Sequence, residues 1–423
     1  MIVHEPRIVD DGQEITVSAE VNIHRPGLEA DRALWFKVPS TLGQVVTSRS
    51  DAFAVSLLPL AMHLGEELEV RGELSYRLAY GLREYVNLQS TWKPDMFRPV
   101  EVRCDRLVSV SPGATAGAVG TAFSGGVDSF HTLLSHLPGR DGFPGHTITH
   151  CVLINGFDRD TDLDGTGSFL AMQRIYETLL RKRDLELVVV RTNLLRLVGW
   201  QIQKQSFAAF VTAPALLLGG LFRRFFVPSS YKFTLLGLYP DGSHLMFDHY
   251  LGTESLETIH DGGHLTRVEK TRELAKWPDT YRSLRVCFEK TSLSEDGSSI
   301  ENCCRCEKCL RTMATLEMFG ALGNYTCFPR PLTRRALRHT PYVYLGSRIF
   351  AREIIEHAPT AGRPDIARDF RVSILRSFLV LEPIRWLARA SRWIEDRVRL
   401  YEVLITPFKN FAKHRGWGGS WIY

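Results

Sequence analysis

The chain has 423 residues, of which 44% are hydrophobic and 23% charged, with 52 Lys and Arg against 47 Asp and Glu for a net charge of +5. That balance excludes a disordered or collagen-like chain and allows two or three domains, each burying its own core. The eight cysteines do not make a disulfide scaffold in a chain this long, and the longest apolar stretch, Phe207 to Phe222, is broken by Pro214, Gly219 and Gly220 and is too short to span a membrane.

Residues 1–115 are expected to form a β-rich domain. Ile15, Val17, Ala19, Val21 and Ile23 alternate with polar residues, as a half-buried strand does. Leu34 to Val38 and Leu68 to Val70 continue the pattern, and Gly43, Gly65 and Gly72 punctuate it. Met1 to Glu5 carries no basic or apolar export segment, so a cytoplasmic location is expected.

Residues 116–330 alternate strand-like and helix-like segments. Strands are expected at Ala118–Phe123, Cys151–Ile154, Leu187–Val190 and Phe225–Pro228, and a helix from Phe169 to Lys182. Phe207 to Phe222 reads as a buried helix. This rhythm predicts an α/β fold, a doubly wound parallel sheet with ligands at the strand C-terminal ends. Residues 331–423 read as a helical basic region, with 18 Lys and Arg against 8 Asp and Glu from Arg330 onward. Ile384, Leu387, Ile394, Val398 and Tyr401 fall on one helical stripe. Trp417, Trp421 and Tyr423 end the chain among glycines. The basic tail or the N-terminal domain is expected to hold a protein partner in preference to RNA, unless the tail folds back or joins a second copy in a homodimer.

Ser124-Gly125-Gly126-Val127-Asp128-Ser129 carries the most chemistry. It lies between an apolar strand and a helix opening at Phe130. Two glycines let backbone N–H groups close around a phosphate, and the helix N-terminus adds donors and partial positive charge. Asp128 fits such a nest if magnesium accompanies a nucleotide, or if the carboxylate anchors the loop. A glycine turn with a capping serine is the plain alternative.

Cys303, Cys306 and Cys309 form a C-x-x-C-x-x-C run, and Cys287 is the nearest upstream fourth ligand. Four thiolates suit a structural zinc. A [4Fe–4S] cluster also takes four thiolates, and free or redox-active cysteines are a further reading. Cys304 is a weaker fourth ligand, since adjacent cysteines rarely reach one ion. Asp160 to Gly165 opens like a calcium-binding loop, but its twelfth position is Ala171 where a glutamate is required, so a solvated loop is expected.

The six-residue loop resembles the SGGxDS motif of the PP-loop ATP pyrophosphatases, which cleave ATP between the α and β phosphates and adenylate an oxygen. Together with the cysteine run it resembles 7-cyano-7-deazaguanine synthase (QueC) and QueC-like proteins, some of which occur in antiphage defence loci. The resemblance covers about residues 116 to 320. It implies ATP binding by Ser124 to Ser129, with Asn155 and Asp158 bordering adenine and ribose. It implies catalytic roles for Asp128, Ser129 and Arg267, the last standing in the family's L-T-K-x-E-I segment as Leu265-Thr266-Arg267-Val268-Glu269-Lys270. Asp241, in Tyr239-Pro240-Asp241, and Asp248 are candidate substrate contacts. Cys287, Cys303, Cys306 and Cys309 match the metal site, and Arg311 the trailing arginine. The family's V-P-G-R-N loop keeps only Val227 and Pro228, followed by Ser229, Ser230 and Tyr231. The implied reaction uses ATP and Mg2+ to adenylate a small-molecule carboxylate, which an amine then attacks. That amine is ammonia, giving an amide and then a nitrile, or a protein amine. A PP-loop enzyme that thiolates tRNA and a nucleotide-sensing subunit without turnover are the other readings.

Overall fold

The computed structural model describes residues 1–24, 33–111, 113, 115–140, 143, 145–157, 168–236, 241–287, 292–381, 383 and 386. The chain divides into two compact units, Met1–Lys270 with Glu295–Ser298, and Thr271–Ser294 with Ser299–Tyr423.

The first unit is built on one eleven-stranded sheet. Its strands are β1 (Ile2–Val3), β2 (Arg7–Asp10), β3 (Glu14–Asn22), β4 (Ala33–Pro39), β5 (Leu68–Ser75), β6 (Val102–Val108), β7 (Ala118–Ala122), β8 (His150–Asn155), β9 (Glu186–Thr192), β10 (Phe222–Pro228) and β11 (Glu257–Asp261). Its helices are α1 (Asp51–Leu64), α2 (Tyr76–Trp92), α3 (Val127–Ser135), α4 (Ser168–Arg181), α5 (Leu194–Val198), α6 (Trp200–Gln205), α7 (Phe207–Leu217) and α8 (Phe233–Leu236); α9 (Arg267–Leu274) begins at its C-terminal edge. The sheet order is β11-β10-β7-β8-β9-β4-β3-β1-β5-β6, with β2 also paired to β3.

Five neighbours, β11, β10, β7, β8 and β9, are parallel. The chain starts this block at β7, moves outward through β8 and β9, and crosses back to β10 and β11. The winding therefore reverses between β7 and β10, where an open α/β sheet leaves a crevice at its strand C-terminal ends. Every residue of β7 is buried, as a central parallel strand requires. Phe226 of β10 stacks on His136 at the end of α3, with ring centroids 4.1 Å apart. Phe225 and Val227 face the other way, into a core shared with α1 and α7. The 207–222 stretch is the buried α7 with the start of β10, as its composition suggests.

The N-terminal strands continue this sheet. β4 pairs antiparallel with β9, joining Phe36 to Thr192 and Lys37 to Arg191. The first 115 residues are also more helical than alternation alone indicates. In α1, 12 of 14 residues are buried, so the helix has no polar stripe to betray its period. α2 is capped by Ser75, whose hydroxyl accepts from Leu78 N–H at 3.1 Å.

The second unit holds a two-stranded antiparallel pair, β12 (Ser292–Leu293) with β13 (Ile300–Glu301), and the helices α10 (Glu307–Met318), α11 (Arg334–His339), α12 (Leu345–Thr360) and α13 (Pro364–Arg376). Arg334 and Arg338 of α11 both donate to Asp369 of α13, at 2.8 and 2.6 Å. Among the described residues no helix is long and apolar enough to cross a membrane. The stripe from Ile384 to Tyr401 and the aromatics Trp417, Trp421 and Tyr423 lie outside the described residues.

Candidate functional site

The loop after β7 sits at the reversal of the sheet winding. Gly125 adopts φ +71°, and a Cβ there would overlap the hydroxyl of Tyr176. Only glycine suits this position. Tyr176, fully buried, packs edge-on against Phe123 and Phe130, so the strand before the loop and the helix after it share one aromatic floor. The Ser129 hydroxyl ties the loop to the helix. It accepts from Ser124 N–H at 3.3 Å and donates to Gly126 C=O at 3.2 Å. Gly126 N–H donates in turn to Ser124 Oγ at 3.3 Å. Gly126 is the N-cap of α3, and Val127, Asp128 and Ser129 form its first turn. The first N–H groups of a helix have no intrahelical partner and point at whatever occupies the loop.

Asp128 meets two cations from one helix. Arg267 forms a short ion pair with its Oδ2, and the Lys270 ammonium lies 3.6 Å from Oδ1. Both come from the first turns of α9. Thr266 and Glu269 make a reciprocal capping box there. Thr266 N–H and hydroxyl donate to the Glu269 carboxylate at 2.7 and 2.8 Å, and Glu269 N–H donates to the Thr266 hydroxyl at 3.1 Å. The cap fixes where α9 starts and so aims Arg267 and Lys270, three residues apart on one face. Lys270 is 1% exposed and also donates to Ser229 C=O at 2.6 Å. Burial pulls its ammonium below the usual lysine range, against the pull of Asp128. Lys270 is the residue that motif reasoning passed over, because a polar run reads as a solvated helix face.

Asp261, at the end of β11, accepts from Thr132 Oγ1 at 2.7 Å and pairs with His136 Nε2 at 3.0 Å, locking β11 to α3. Burial pushes its carboxyl up, but the hydrogen bonds from His136 and Thr132 outweigh this and hold it below the usual carboxylate range. Asn155 closes β8 at the same sheet edge and is 3% exposed. Asp158, Tyr239, Pro240 and the 160–165 loop lie outside the described residues.

Of the two candidate substrate aspartates, Asp248 is buried and Asp241 half-buried, and each feels the other's charge. Asp248 is 0% exposed and accepts three hydrogen bonds: from Ser243 Oγ at 2.6 Å, His244 N–H at 2.9 Å and His260 Nδ1 at 2.7 Å. Burial pushes the Asp241 carboxyl up to about 6, partly offset by Gly242 N–H and by the charges of Lys93 and Arg267. Lys93 donates to the backbone carbonyls of Gln205 and Asp241 at 3.1 and 3.2 Å, and burial pulls its ammonium down to about 8.

In the second unit, the sulfurs of Cys287, Cys303, Cys306 and Cys309 all lie within 4.8 Å of one another and could hold a metal such as zinc. Cys303 and Cys306 each approach Cys309, at 3.7 and 3.4 Å. Four ligands about 2.3 Å from one tetrahedral zinc stand about 3.8 Å apart. An iron–sulfur cubane puts each cysteine on a different iron and spreads them further, so this spacing fits a single ion. The thiols crowd one another: hydrogen bonds from Cys287, Cys306 and Cys309 drive Cys303 far below the ordinary thiol range. Cys306 is the N-cap of α10, which places Cys309 in the first turn, where the helix end favours thiolates. Asn302 staples the site. Its Oδ1 accepts from Val286 and Cys287 N–H at 2.9 and 3.1 Å, and its Nδ2 donates to Leu284 and Cys327 C=O at 2.8 and 3.0 Å. Cys304, at φ +58°, turns away, its thiol donating to Asn302 C=O at 3.3 Å. Arg311 pairs with Glu307 at 3.0 Å and stacks over Phe350 at 4.1 Å, a packing role within the helices. Comparisons with protein-family models, with curated proteins and with solved structures returned no match to this chain.

Proposed function

We propose that the chain is a PP-loop, QueC-like enzyme that adenylates a carboxylate on a deazapurine-like substrate with release of pyrophosphate, and passes the acyl group to an amine. One observation carries this reading: the Ser124–Ser129 nest, the opening of α3 and the cations Arg267 and Lys270 converge where the sheet winding reverses. A nest of N–H groups backed by two cations is built for a polyphosphate. Magnesium enters with the triphosphate as part of the substrate. Arg267 and Lys270, held by Asp128, neutralise the charge that grows on departing pyrophosphate. The cysteine site is structural, since four thiolates leave no open coordination position for water.

The buried thiol of Cys151 on β8, pushed far up by burial, argues against sulfur relay and so against tRNA thiolation. The test is incubation with ATP, magnesium chloride, ammonium chloride and 7-deazaguanine-7-carboxylate. AMP and pyrophosphate are expected in equal amounts. Ser129→Ala should lower the rate roughly a hundredfold in a protein that still folds. Release of ADP and phosphate, or no carboxylate-dependent turnover, would overturn the reading.

A further inference from the structure

Alternation along β11 sends Asp261 to the α3 face and His260 to the opposite face. The His260 side chain is 4% exposed. Its Nδ1 lies 2.7 Å from Asp248 Oδ2 and 3.2 Å from Ser243 Oγ. Ser243 donates to the same carboxylate at 2.6 Å, so Nδ1 carries the hydrogen that bonds Asp248, and in the neutral ring Nε2 is left as a bare acceptor. Among the described residues, that Nε2 is buried with no hydrogen-bond partner. A buried acceptor without a donor is destabilising, and such a group in a polar cluster needs a reason. The arrangement is not a nucleophilic triad, because Ser243 approaches Nδ1 and leaves Nε2 untouched.

The place of the ring supplies the reason. His260 is the penultimate residue of β11, at the same sheet edge as the glycine loop, and Phe233 lies over it with ring centroids 6.1 Å apart. Phe233 also closes against Gly263, where a Cβ would strike its ring. The Asp241 carboxyl feels the charges of both Asp248 and Arg267, so the dyad and the cation paired with Asp128 act on one common group.

We propose that His260 is the proton acceptor for the attacking amine, with its unpartnered Nε2 as the accepting atom and Asp248 orienting the ring. The inference rests on the adenylating function proposed above. As the amine nitrogen bonds the adenylated carbonyl carbon, it sheds a proton to Nε2. The carbon–oxygen bond to the adenylate then breaks, and AMP leaves with the electron pair. The imidazolium so formed is stabilised by Asp248 and returns its proton to solvent on product release.

Two half-reactions separate this role from nucleotide binding. Carboxylate-dependent exchange of labelled pyrophosphate into ATP reports adenylation, and AMP formation with ammonium chloride reports transfer. In His260→Ala, exchange is expected to persist while transfer falls about a hundredfold. Imidazole added at tens of millimolar should restore transfer at least tenfold. Transfer at the unaltered rate, or parallel loss of exchange and transfer in a protein that melts normally, would overturn the inference alone. No exchange in the unaltered protein would overturn the nucleotide reading and this inference with it. If His260→Ala fails to fold, 15N NMR of the unaltered full chain decides. A protonated Nδ1 with a bare Nε2 that shifts on adding a nonhydrolysable ATP analogue and 7-deazaguanine-7-carboxylate is expected. An Nε2–H tautomer, or a resonance that ignores both additions, would overturn it.

Discussion

The cysteine cluster and the glycine loop are ordered by different means. The cluster draws its four sulfurs from one stretch, Cys287 to Cys309, and its neighbours' hydrogen bonds favour the Cys303 thiolate while the Cys306 and Cys309 thiols are pushed far up, holding protons that a bound ion would replace. The loop site draws on β7, α3, β10, β11 and α9, and its ion-paired residues Asp128 and Arg267 stand 139 positions apart. Backbone ladders of a parallel sheet hold it without help from a ligand. Order at the first site is therefore a binding equilibrium, and order at the second is a folding equilibrium.

Metal removal should break the comparison most sharply. Apparent binding of a structural zinc is worth on the order of 10 kcal/mol at neutral pH. Cys309→Ser should strip the metal and lower the melting temperature, whereas Cys304→Ser should keep full metal and change stability by less than about 1 kcal/mol. Elemental analysis beside thermal unfolding checks both. Equal metal loss in the two variants would mean that the ligand set is wrong.

A smaller effect is expected at the loop. Gly125→Ala combines a left-handed backbone with displacement of Tyr176, for a total of about 3 kcal/mol. Gly12→Ala, at φ +87° with open space around it, should cost only the conformational part, about 1 kcal/mol. Urea unfolding of the two variants separates strain from clash. Similar losses would show that Tyr176 yields easily and that the loop is less rigidly held than its packing implies.

An effect smaller than that of Gly125→Ala is a dependence on pH. The Asp261 carboxyl is held down by His136 and Thr132, so its contribution is fully present above the unfolded carboxylate range, near pH 4. It fades as the pH falls through the lowered native value. Asp261→Asn should cost about 2 kcal/mol at pH 6 and flatten the acid limb of stability below pH 4. A variant as acid-sensitive as the unaltered protein would place the acid-labile contact elsewhere.

Legibility follows the same division. Cys303, Cys306 and Cys309, and Ser124 to Ser129, are contiguous motifs whose spacing is itself the geometry. Their fourth ligand and their strand-loop-helix setting could be read from neighbours. Lys270 and His260 could not. The α9 segment is polar, and nothing local signals that Lys270 is 1% exposed. β11 reads Glu-Thr-Ile-His-Asp, with a single apolar residue, so it carries no strand signature and its histidine no context. The parallel block, by contrast, is visible as apolar runs, the clearest at β7, a central strand buried on both faces.

The β4–β9 pairing has a consequence for how the chain is made. Phe36 and Lys37 wait for Thr192 and Arg191, which leave the ribosome only after most of the first unit has been synthesised. At about 5–20 residues per second, β4 spends on the order of ten seconds as an unpaired edge. Its buried face, Leu34, Phe36 and Val38, is a template for wrong partners during that interval. The strand that completes the sheet in the finished protein is thus the one most in need of a chaperone while the chain is still growing.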